Sequence, residues 1–336
     1  MKNLVIDNSY QSKLDLLQTQ VAIKFVKDCF QVELSKALNL TRVSAPLFVF
    51  PDTGLNDDLN GYERPVSFDI KNISRNVEII HSLAKWKRNA LREYQIEVNN
   101  GIYTDMNAIR RDEDLDSVHS IYVDQWDWEK VITNDQRNEK YLHDTVRTIY
   151  QVIKLVAEKT KEKFPSLNGL NLPEDITFLK ASEMLMEHPE MNAKAREDFY
   201  AKKFKAIFIQ GIGWPLQDGN PHDGRAADYD DWNLNGDLLV WDEVIKTGLE
   251  LSSMGIRVDS SSLIKQLDYK GENSKLSSPY HQDVLHSRLP FSIGGGIGQS
   301  RLCMLMLEKI HIGEVQASVW PSEDIKLLKK AGIKLL

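Results

Sequence analysis

The sequence predicts an α+β fold in which helices flank a mixed, largely antiparallel β-sheet. Strand-like segments follow one another through short turns, and this spacing favours antiparallel pairing. Long amphipathic segments lie towards the ends of the chain instead of alternating with the strands, which favours α+β over an alternating α/β fold. The chain has 336 residues, 42% of them hydrophobic, and is therefore long enough to bury a large core.

The first predicted elements are a long helix and an extended segment. Residues 13–39 are predicted to form an amphipathic helix, because apolar side chains recur at steps of three and four. Residues 40–50 are predicted to be extended, and Pro46 favours an edge or end position in a sheet. Residues 77–80 are predicted to be a strand, and Ser82 is a candidate cap for the helix that follows. The apolar stripe of the first helix consists of Leu14, Leu17, Val21, Phe25, Val26, Phe30, Leu34 and Leu38.

The remaining predicted elements are mostly strands. Residues 121–128 alternate in polarity, which predicts a strand with Gln125 and Asp127 on one face and Trp126 and Trp128 on the packed face. The other predicted elements are a helix at 140–164, a strand at 205–212, a polar loop at 211–232, paired strands at 237–244 and 249–258, and a helix at 300–307.

Composition argues against several classes of protein. The formal net charge is −7, so nothing requires the basic face that nucleic-acid binding needs. No apolar run approaches the 18 residues of a membrane-spanning helix. Cys29 and Cys303 both lie among apolar residues at helical spacing, and two cysteines make neither a disulfide framework nor a zinc site. We expect a cytoplasmic protein without a nucleic-acid or membrane partner.

Two arginines carry the strongest chemical signal. Arg110 precedes an acidic loop and a returning strand, and Arg301 follows a glycine-rich turn, residues 293–298, at the start of a helix. Guanidinium groups bind phosphate oxygens and stabilise negative charge that develops at phosphorus. Together the two arginines indicate an ATP-using ligase that activates a carboxylate, whereas one such arginine alone would be interpreted as a surface side chain.

Several motifs resemble those of known enzymes. The strand at Pro46, the Arg110 loop and residues 294–301 resemble the three motifs of the class II aminoacyl-tRNA synthetase core, and RDEDL resembles the second motif of its aspartate-specific members. The closer resemblance, over essentially the whole chain, is to the ammonia-dependent asparagine synthetases of bacteria. It is carried by HSLAKWKR (81–88), HSIYVDQWDWE (119–129), DYDDW (228–232), ELSSMGIRVD (250–259) and GGGIGQSR (294–301).

This resemblance implies a class II synthetase-like core and a nucleotide site. Residues 1–336 would form one catalytic domain, without a separate anticodon-binding domain. Arg110 and Arg301 would bind the α-phosphate of ATP from its two sides while a carboxylate attacks the phosphorus. Gly296 and Gly298 would let the backbone approach the nucleotide, although a tight strand-to-helix turn explains such glycines equally well. Two further residues would contact the nucleotide by resemblance: Ser120 and Asp230.

Aspartate needs partners for its α-carboxylate, its α-ammonium and its reacting β-carboxylate. Lys87 and Arg257 suit the first and Asp127 the second. Gln125 and Ser82 suit the third through hydrogen bonds, although Ser82 is equally explained as a helix cap. The candidate substrate-binding residues are Ser82, Lys87, Gln125, Asp127, Ser253 and Arg257.

Magnesium is expected to accompany ATP, because it binds through one or two carboxylates together with phosphate oxygens and water. The resemblance points to Asp237 and Glu250 as its ligands. A simple hairpin centred near Thr247 would not place these two directly opposite each other, and ordinary strand-end carboxylates are the alternative explanation.

The nitrogen donor is expected to be free ammonia, unless a separate subunit supplies it. Met1 is followed by Lys2 instead of the cysteine that N-terminal-nucleophile glutamine enzymes expose, and neither Cys29 nor Cys303 has the setting of a reactive thiol. Asp57 lies in the sequence DDLNG and is the candidate group that admits ammonium and accepts a proton, unless it is simply a solvated loop carboxylate.

The predicted reaction converts L-aspartate, ATP and ammonia into L-asparagine, AMP and pyrophosphate through a β-aspartyl-adenylate. Two alternatives remain open: an aspartyl-tRNA synthetase-like enzyme and a non-catalytic protein that binds aspartate or adenylate. The resemblance also implies a homodimer formed through the first motif. The sequence cannot distinguish this from packing of the same apolar stripe within one core.

Overall fold

The computed structural model describes residues 4–336, which form nine helices and eleven strands within that range. Met1 and Lys2, on which the prediction about an N-terminal nucleophile rests, lie outside the described residues. The helices are α1 Leu16–Leu38, α2 Ala84–Glu93, α3 Glu139–Lys163, α4 Ala181–Glu187, α5 Ala193–Phe204, α6 Ser260–Lys270, α7 Pro279–Leu285, α8 Gln299–Met306 and α9 Ser322–Lys330. The strands are β1 Leu40–Arg42, β2 Phe48–Val49, β3 Ser67–Asp69, β4 Asn76–Ile79, β5 Gly101–Ile109, β6 Tyr122–Val131, β7 Thr177–Lys180, β8 Ala206–Gln210, β9 Asp230–Asp242, β10 Thr247–Arg257 and β11 Ser292–Gly298.

Eight of the strands form one sheet in the order β1-β5-β6-β11-β10-β9-β8-β7. Only the outermost pairs, β1 with β5 and β7 with β8, are parallel, and the five inner pairings are antiparallel. A second sheet has the order β2-β4-β3. The predicted α+β class with a mixed, largely antiparallel sheet is therefore confirmed, and the extended segment around Pro46 supplies an edge strand to each sheet.

Helix α1 packs on one face of the large sheet. Asp15 caps its first turn in a capping box with Gln18, and Asn39 ends it in the left-handed conformation at φ 57°. Most of the predicted apolar stripe faces the core, but Leu17 and Val21 remain 75% and 54% exposed. These two side chains therefore lie on the exposed side of α1.

The core lies between the large sheet and helices α1, α3 and α8. Trp126 and Trp128 are fully buried there, and the Trp126 ring stacks on Phe30 with ring centroids 4.6 Å apart. Gln125 and Asp127 point to the opposite face of β6, as the alternation of the sequence predicts. The two faces of the sheet therefore differ, and the polar face carries the chemistry described below.

Several predicted boundaries are corrected by the structure. Residues 292–298 form strand β11 and not a glycine-rich turn. Asp230 and Trp232 belong to β9, so the polar loop ends earlier than predicted. Helices α4 to α7 and strand β7 carry no strong periodicity and were not predicted. Within residues 4–336, no helix is long and apolar enough to cross a membrane.

Candidate active site

A row of four residues crosses the polar face of the large sheet. Asp127 pairs with Gly296, Gly296 pairs with Ser253, and Ser253 pairs with Asp237, on strands β6, β11, β10 and β9. Directly paired residues point to the same face of a sheet. The side chains of Asp127, Ser253 and Asp237 therefore lie in one row on the same face of the sheet, and Gly296 lies between Asp127 and Ser253.

The glycines of β11 create space on this face. A Cβ on Gly296 would lie 2.9 Å from the Gln125 Cδ and still closer to its amide oxygen, and a Cβ on Gly294 would overlap the Glu129 carboxylate. Each glycine thus leaves room for a polar side chain of the neighbouring strand β6. At Gly294 and Gly296 the absence of a Cβ therefore makes room for protein side chains, and Gly296 and Gly298 also line the cleft described next.

A cleft of about 390 Å³ opens above this row. Arg110 follows the end of β5 and Arg301 lies in the first turn of α8, and both line the cleft although they are far apart in sequence. The Arg301 guanidinium donates to the Glu250 carbonyl at 3.2 Å, and the Arg110 guanidinium donates to the His81 carbonyl at 3.4 Å. The candidate residues that line the cleft are Arg110, Ser120, Gln125, Glu250, Ser253, Gly296, Gly298 and Arg301.

Lys87 and Asp127 form a buried ion pair at the base of the site. The side chain of Lys87 is 1% exposed and that of Asp127 3%. The Lys87 ammonium also donates to the Gly295 carbonyl at 2.9 Å, and the second oxygen of Asp127 has no partner within the described chain. Burial lowers the pKa of Lys87, and Asp127 only partly offsets this effect.

Arg257 belongs to a second buried network. It donates to Glu129 at 2.6 and 2.9 Å and to Asp230, so three of its five N–H groups are engaged. Asp230 was predicted to contact the nucleotide, but the structure places it on Arg257 and not on the wall of the cleft. Glu129 was missed by sequence reasoning. The available signal was its position two residues after Asp127, on the same face of the strand.

Asp57 and Ser82 lie together outside the cleft lining. Asp57 is 2% exposed and accepts a hydrogen bond from the Ser82 hydroxyl at 2.8 Å. Helix α2 starts without a side-chain cap, and the residue at its cap position is Leu83. Tyr229 lines the cleft, and its pKa is raised first by burial and then by the charge of Asp57. Asp57 is therefore a buried carboxylate and not a solvated loop residue.

Asp237 and Glu250, the candidate magnesium ligands, are close but not directly opposite. Asp237 pairs with Ser253 and Glu250 with Leu239, and a bulge follows Glu250. The Arg225 guanidinium donates to Asp237, whereas burial raises the pKa of Asp237. Among residues 4–336, no cluster of three or more histidine, cysteine or acidic side chains could hold a metal ion by itself.

The cysteines have the unreactive character that the sequence predicts. Cys303 is fully buried, and burial raises the pKa of its thiol to about 12. Cys29 is partly buried, and burial likewise raises its pKa. Neither thiol lines the cleft.

The fold is that of the class II aminoacyl-tRNA synthetase catalytic core. Asparaginyl-tRNA synthetase from Pyrococcus horikoshii, solved with asparaginyl-adenylate, superimposes with a TM-score of 0.64 at 15% sequence identity, over 90% of this chain and 70% of that one. Asparaginyl-tRNA synthetase from Entamoeba histolytica, also with asparaginyl-adenylate, gives a TM-score of 0.62 at 14% identity, over 90% and 69% of the two chains.

Sequence comparisons are more specific. The family model described as aspartate-ammonia ligase matches residues 17–332. The aspartate–ammonia ligase of Fusobacterium nucleatum is 57% identical over 98% of this chain and all of its own length. That of Clostridium tetani is 53% identical over all of this chain and 98% of its own length. The chain belongs to the aspartate–ammonia ligase family.

Proposed function

We propose that the chain joins ammonia to L-aspartate and releases L-asparagine, AMP and pyrophosphate through a β-aspartyl-adenylate. The observation that carries this proposal is that Arg110 and Arg301 line one cleft together with Gln125 and Ser253. Support also comes from relatives named aspartate–ammonia ligase and from the adenylates bound by proteins of the same fold.

In the first step the β-carboxylate of aspartate attacks the α-phosphorus of ATP, and pyrophosphate leaves. Negative charge grows on the phosphoryl oxygens, and the two guanidinium groups stabilise it in a site where few water molecules compete. Gln125 and Ser253 orient the attacking carboxylate through hydrogen bonds, since both side chains line the cleft. Ser120, Gly296 and Gly298 border the same space and contact the nucleotide.

Aspartate recognition uses the charges at the base of the site. Lys87 binds the α-carboxylate and Asp127 binds the α-ammonium, so the substrate inserts between two groups that otherwise pair with each other. Arg257 contributes at most its two remaining N–H groups. Its main role is to hold Glu129 and Asp230, and it acts on aspartate as a positive charge close to Lys87.

In the second step ammonia attacks the activated carbonyl, AMP leaves, and the nitrogen loses one proton. Asp57 accepts that proton, and Ser82 holds its carboxylate in place. Because Asp57 does not line the cleft, the groups that separate it from the cleft would have to move for the nitrogen of ammonia to reach it.

Magnesium would be held by Asp237 and Glu250. The residues fit such an ion, because one oxygen of Asp237 is buried without a partner in the described chain and Glu250 lines the cleft at 41% side-chain exposure. Two carboxylates are sufficient, because magnesium completes its coordination with water and phosphate oxygens. When bound, the ion would supply positive charge to the polyphosphate.

We also propose that the protein forms a homodimer and has no nucleic-acid partner. A homodimer through α1 is supported by Leu17 and Val21, whose apolar side chains are exposed. The acidic charge of the chain supports the absence of a nucleic-acid partner. A cytoplasmic location stays a prediction from the sequence.

The deciding experiment is product analysis with aspartate, ATP, magnesium and either ammonium or glutamine. The proposal predicts AMP, pyrophosphate and asparagine with ammonium only. Formation of ADP would mean a phosphorylated intermediate and would refute the adenylate. Transfer of labelled aspartate to bulk tRNA, or nucleotide binding without product, would support the synthetase-like and the non-catalytic alternatives, respectively.

A further inference from the structure

Arg225 is a buried cation on the wall of the cleft to which the sequence analysis gave no role. It lies in the loop between β8 and β9, and its side chain is 11% exposed. Its guanidinium donates to the Asp223 carboxylate at 2.7 Å, to the Gly224 carbonyl at 2.8 Å and to Asp237. Its Nε has no acceptor within residues 4–336.

The two acidic partners of Arg225 differ in their surroundings. Asp237 is 8% exposed and is fixed in the sheet, whereas Asp223 is 61% exposed on the loop itself. An exposed ion pair contributes little free energy, because water screens it and two side chains must be ordered. The contact with Asp223 is therefore the one that an incoming anion can replace at small cost.

Arg225 and the phosphate site share one cleft. Arg225, Glu250 and Arg301 all line it, and the Glu250 carboxylate lies 3.7 Å from the Arg301 guanidinium. A guanidinium stays protonated in proteins. Arg225 is therefore a permanent positive charge in the same cleft as Arg301, and it contacts the candidate magnesium ligand Asp237.

We propose that Arg225 is a third guanidinium of the nucleotide site, which binds the β- and γ-phosphates of ATP and the pyrophosphate formed from them. This inference rests on the proposed function and adds a leaving-group contact to it. Before the nucleotide binds, Asp223 and Asp237 hold Arg225. Phosphate oxygens would replace the exposed Asp223 as a partner of its forked N–H groups, while the buried Asp237 keeps Arg225 in place.

The test measures binding of inorganic pyrophosphate and of AMP by calorimetry, without aspartate and without turnover. Arg225→Gln should weaken pyrophosphate binding about tenfold or more, since a charge-assisted bidentate contact is lost, and should leave AMP binding within about twofold. Asp223→Asn removes the competitor for Arg225 and should tighten pyrophosphate binding about threefold or more. The matched control is Asp218→Asn, which removes a charge from the same loop at a residue whose carboxylate contacts only Asn220 among the bonds described.

The double variant with both Arg225→Gln and Asp223→Asn separates this idea from general electrostatics. If Asp223 acts by holding Arg225, then Asp223→Asn should not tighten pyrophosphate binding in a protein that already carries Arg225→Gln. The inference would be overturned if Asp223→Asn tightened pyrophosphate binding equally in the wild type and in Arg225→Gln. It would also be overturned if Asp218→Asn tightened binding as much as Asp223→Asn. A third contrary result would be pyrophosphate binding by Arg225→Gln within twofold of the wild type. If the Arg225 variant does not fold, the comparison of Asp223→Asn with Asp218→Asn decides alone.

The same measurements distinguish this inference from the proposed function. Wild-type protein that binds neither AMP nor pyrophosphate contradicts the adenylate-forming ligase itself. Wild-type protein that binds both, with Arg225→Gln unchanged, contradicts only the role of Arg225. Parallel loss of AMP and pyrophosphate binding in Arg225→Gln would show that Arg225 supports the shape of the cleft, and this also overturns the leaving-group role.

Discussion

Gly296 offers a direct test of how strand β11 serves the site. Replacement by alanine adds one methyl group, whose carbon would lie 2.9 Å from the Gln125 Cδ and closer to the amide oxygen. Ordinary carbon contacts are about 3.5–4.0 Å, so the Gln125 side chain must retreat by roughly 1 Å. Gln125 is a flexible, half-buried side chain, so it can move without unfolding the sheet.

The expected loss falls on aspartate binding. A hydrogen bond to a charged group contributes about 1.5–3 kcal/mol, which corresponds to about 10- to 150-fold in kcat/KM for aspartate if Gln125 holds the reacting carboxylate. The melting temperature should change little, because the displaced atoms belong to a side-chain end. The assay is pyrophosphate release against aspartate concentration, with melting followed by circular dichroism.

Gly298→Ala is the matched control on the same strand and the same face. Its Cβ would meet the Arg301 Cβ at 3.4 Å, which is an ordinary contact. Its effect on KM for aspartate should therefore be much smaller than that of Gly296→Ala. Equal effects from both variants, or an unchanged kcat/KM for aspartate in Gly296→Ala, would refute the role assigned to Gln125.

Three further predictions concern stability and chemistry. Gly294→Ala should destabilise the fold by about 3–5 kcal/mol in urea unfolding, since its Cβ overlaps Glu129 and disrupts the buried pair with Arg257; a loss below about 1 kcal/mol would contradict this. Burial raises the pKa of Asp242 to about 6, so the native state binds a proton that the unfolded chain releases, and stability should fall as pH rises from about 4 to 6. Asp242→Asn should remove this dependence and stabilise the protein at pH 8, as urea midpoints across pH would show. Arg301→Gln should lower kcat about 10²- to 10³-fold in the pyrophosphate assay, whereas the surface control Arg147→Gln should not.

Sequence alone predicts the faces of strands well where alternation is strict. Trp126 and Trp128 lie in the core because a strand with one buried face must place alternate residues on opposite sides. The sequence also predicts the hairpin of β9 and β10, because two strand-like segments lie on either side of a short turn. The convergence of Arg110 and Arg301 is different, because spacing could not predict it and the resemblance to known motifs did.

The errors have physical causes. An apolar stripe does not show whether it packs within one chain or against another, so the exposure of Leu17 and Val21 could not be predicted from the sequence. Glycine is unfavourable in strand interiors, so a glycine-rich run such as residues 293–298 favours a turn when only the sequence is considered. Tertiary packing overrides this preference, because the side chains of Gln125 and Glu129 occupy the space that a Cβ would fill.

Partners of buried charges are the hardest feature to predict. Glu129 and Arg257 are 128 residues apart in the chain, yet they satisfy each other in the structure. Arg225 lies in the predicted polar loop at 211–232, and the composition of that loop does not show which of its charged side chains becomes buried. Such pairs depend on which strands become neighbours, and that information is absent from local sequence pattern.

The pairing of Lys87 with Asp127 explains how a polar sheet face can recognise a zwitterion and still be stable without it. An unpaired charge at 1–3% exposure would be strongly unfavourable, so the candidate ligands of aspartate neutralise each other in the free protein. The α-carboxylate and α-ammonium of the substrate carry the same two charges. Insertion of these two groups therefore exchanges one buried pair for two and adds no net charge between Lys87 and Asp127. A dicarboxylate without the ammonium group would leave Asp127 facing an anion, and this repulsion favours amino acids over simple diacids.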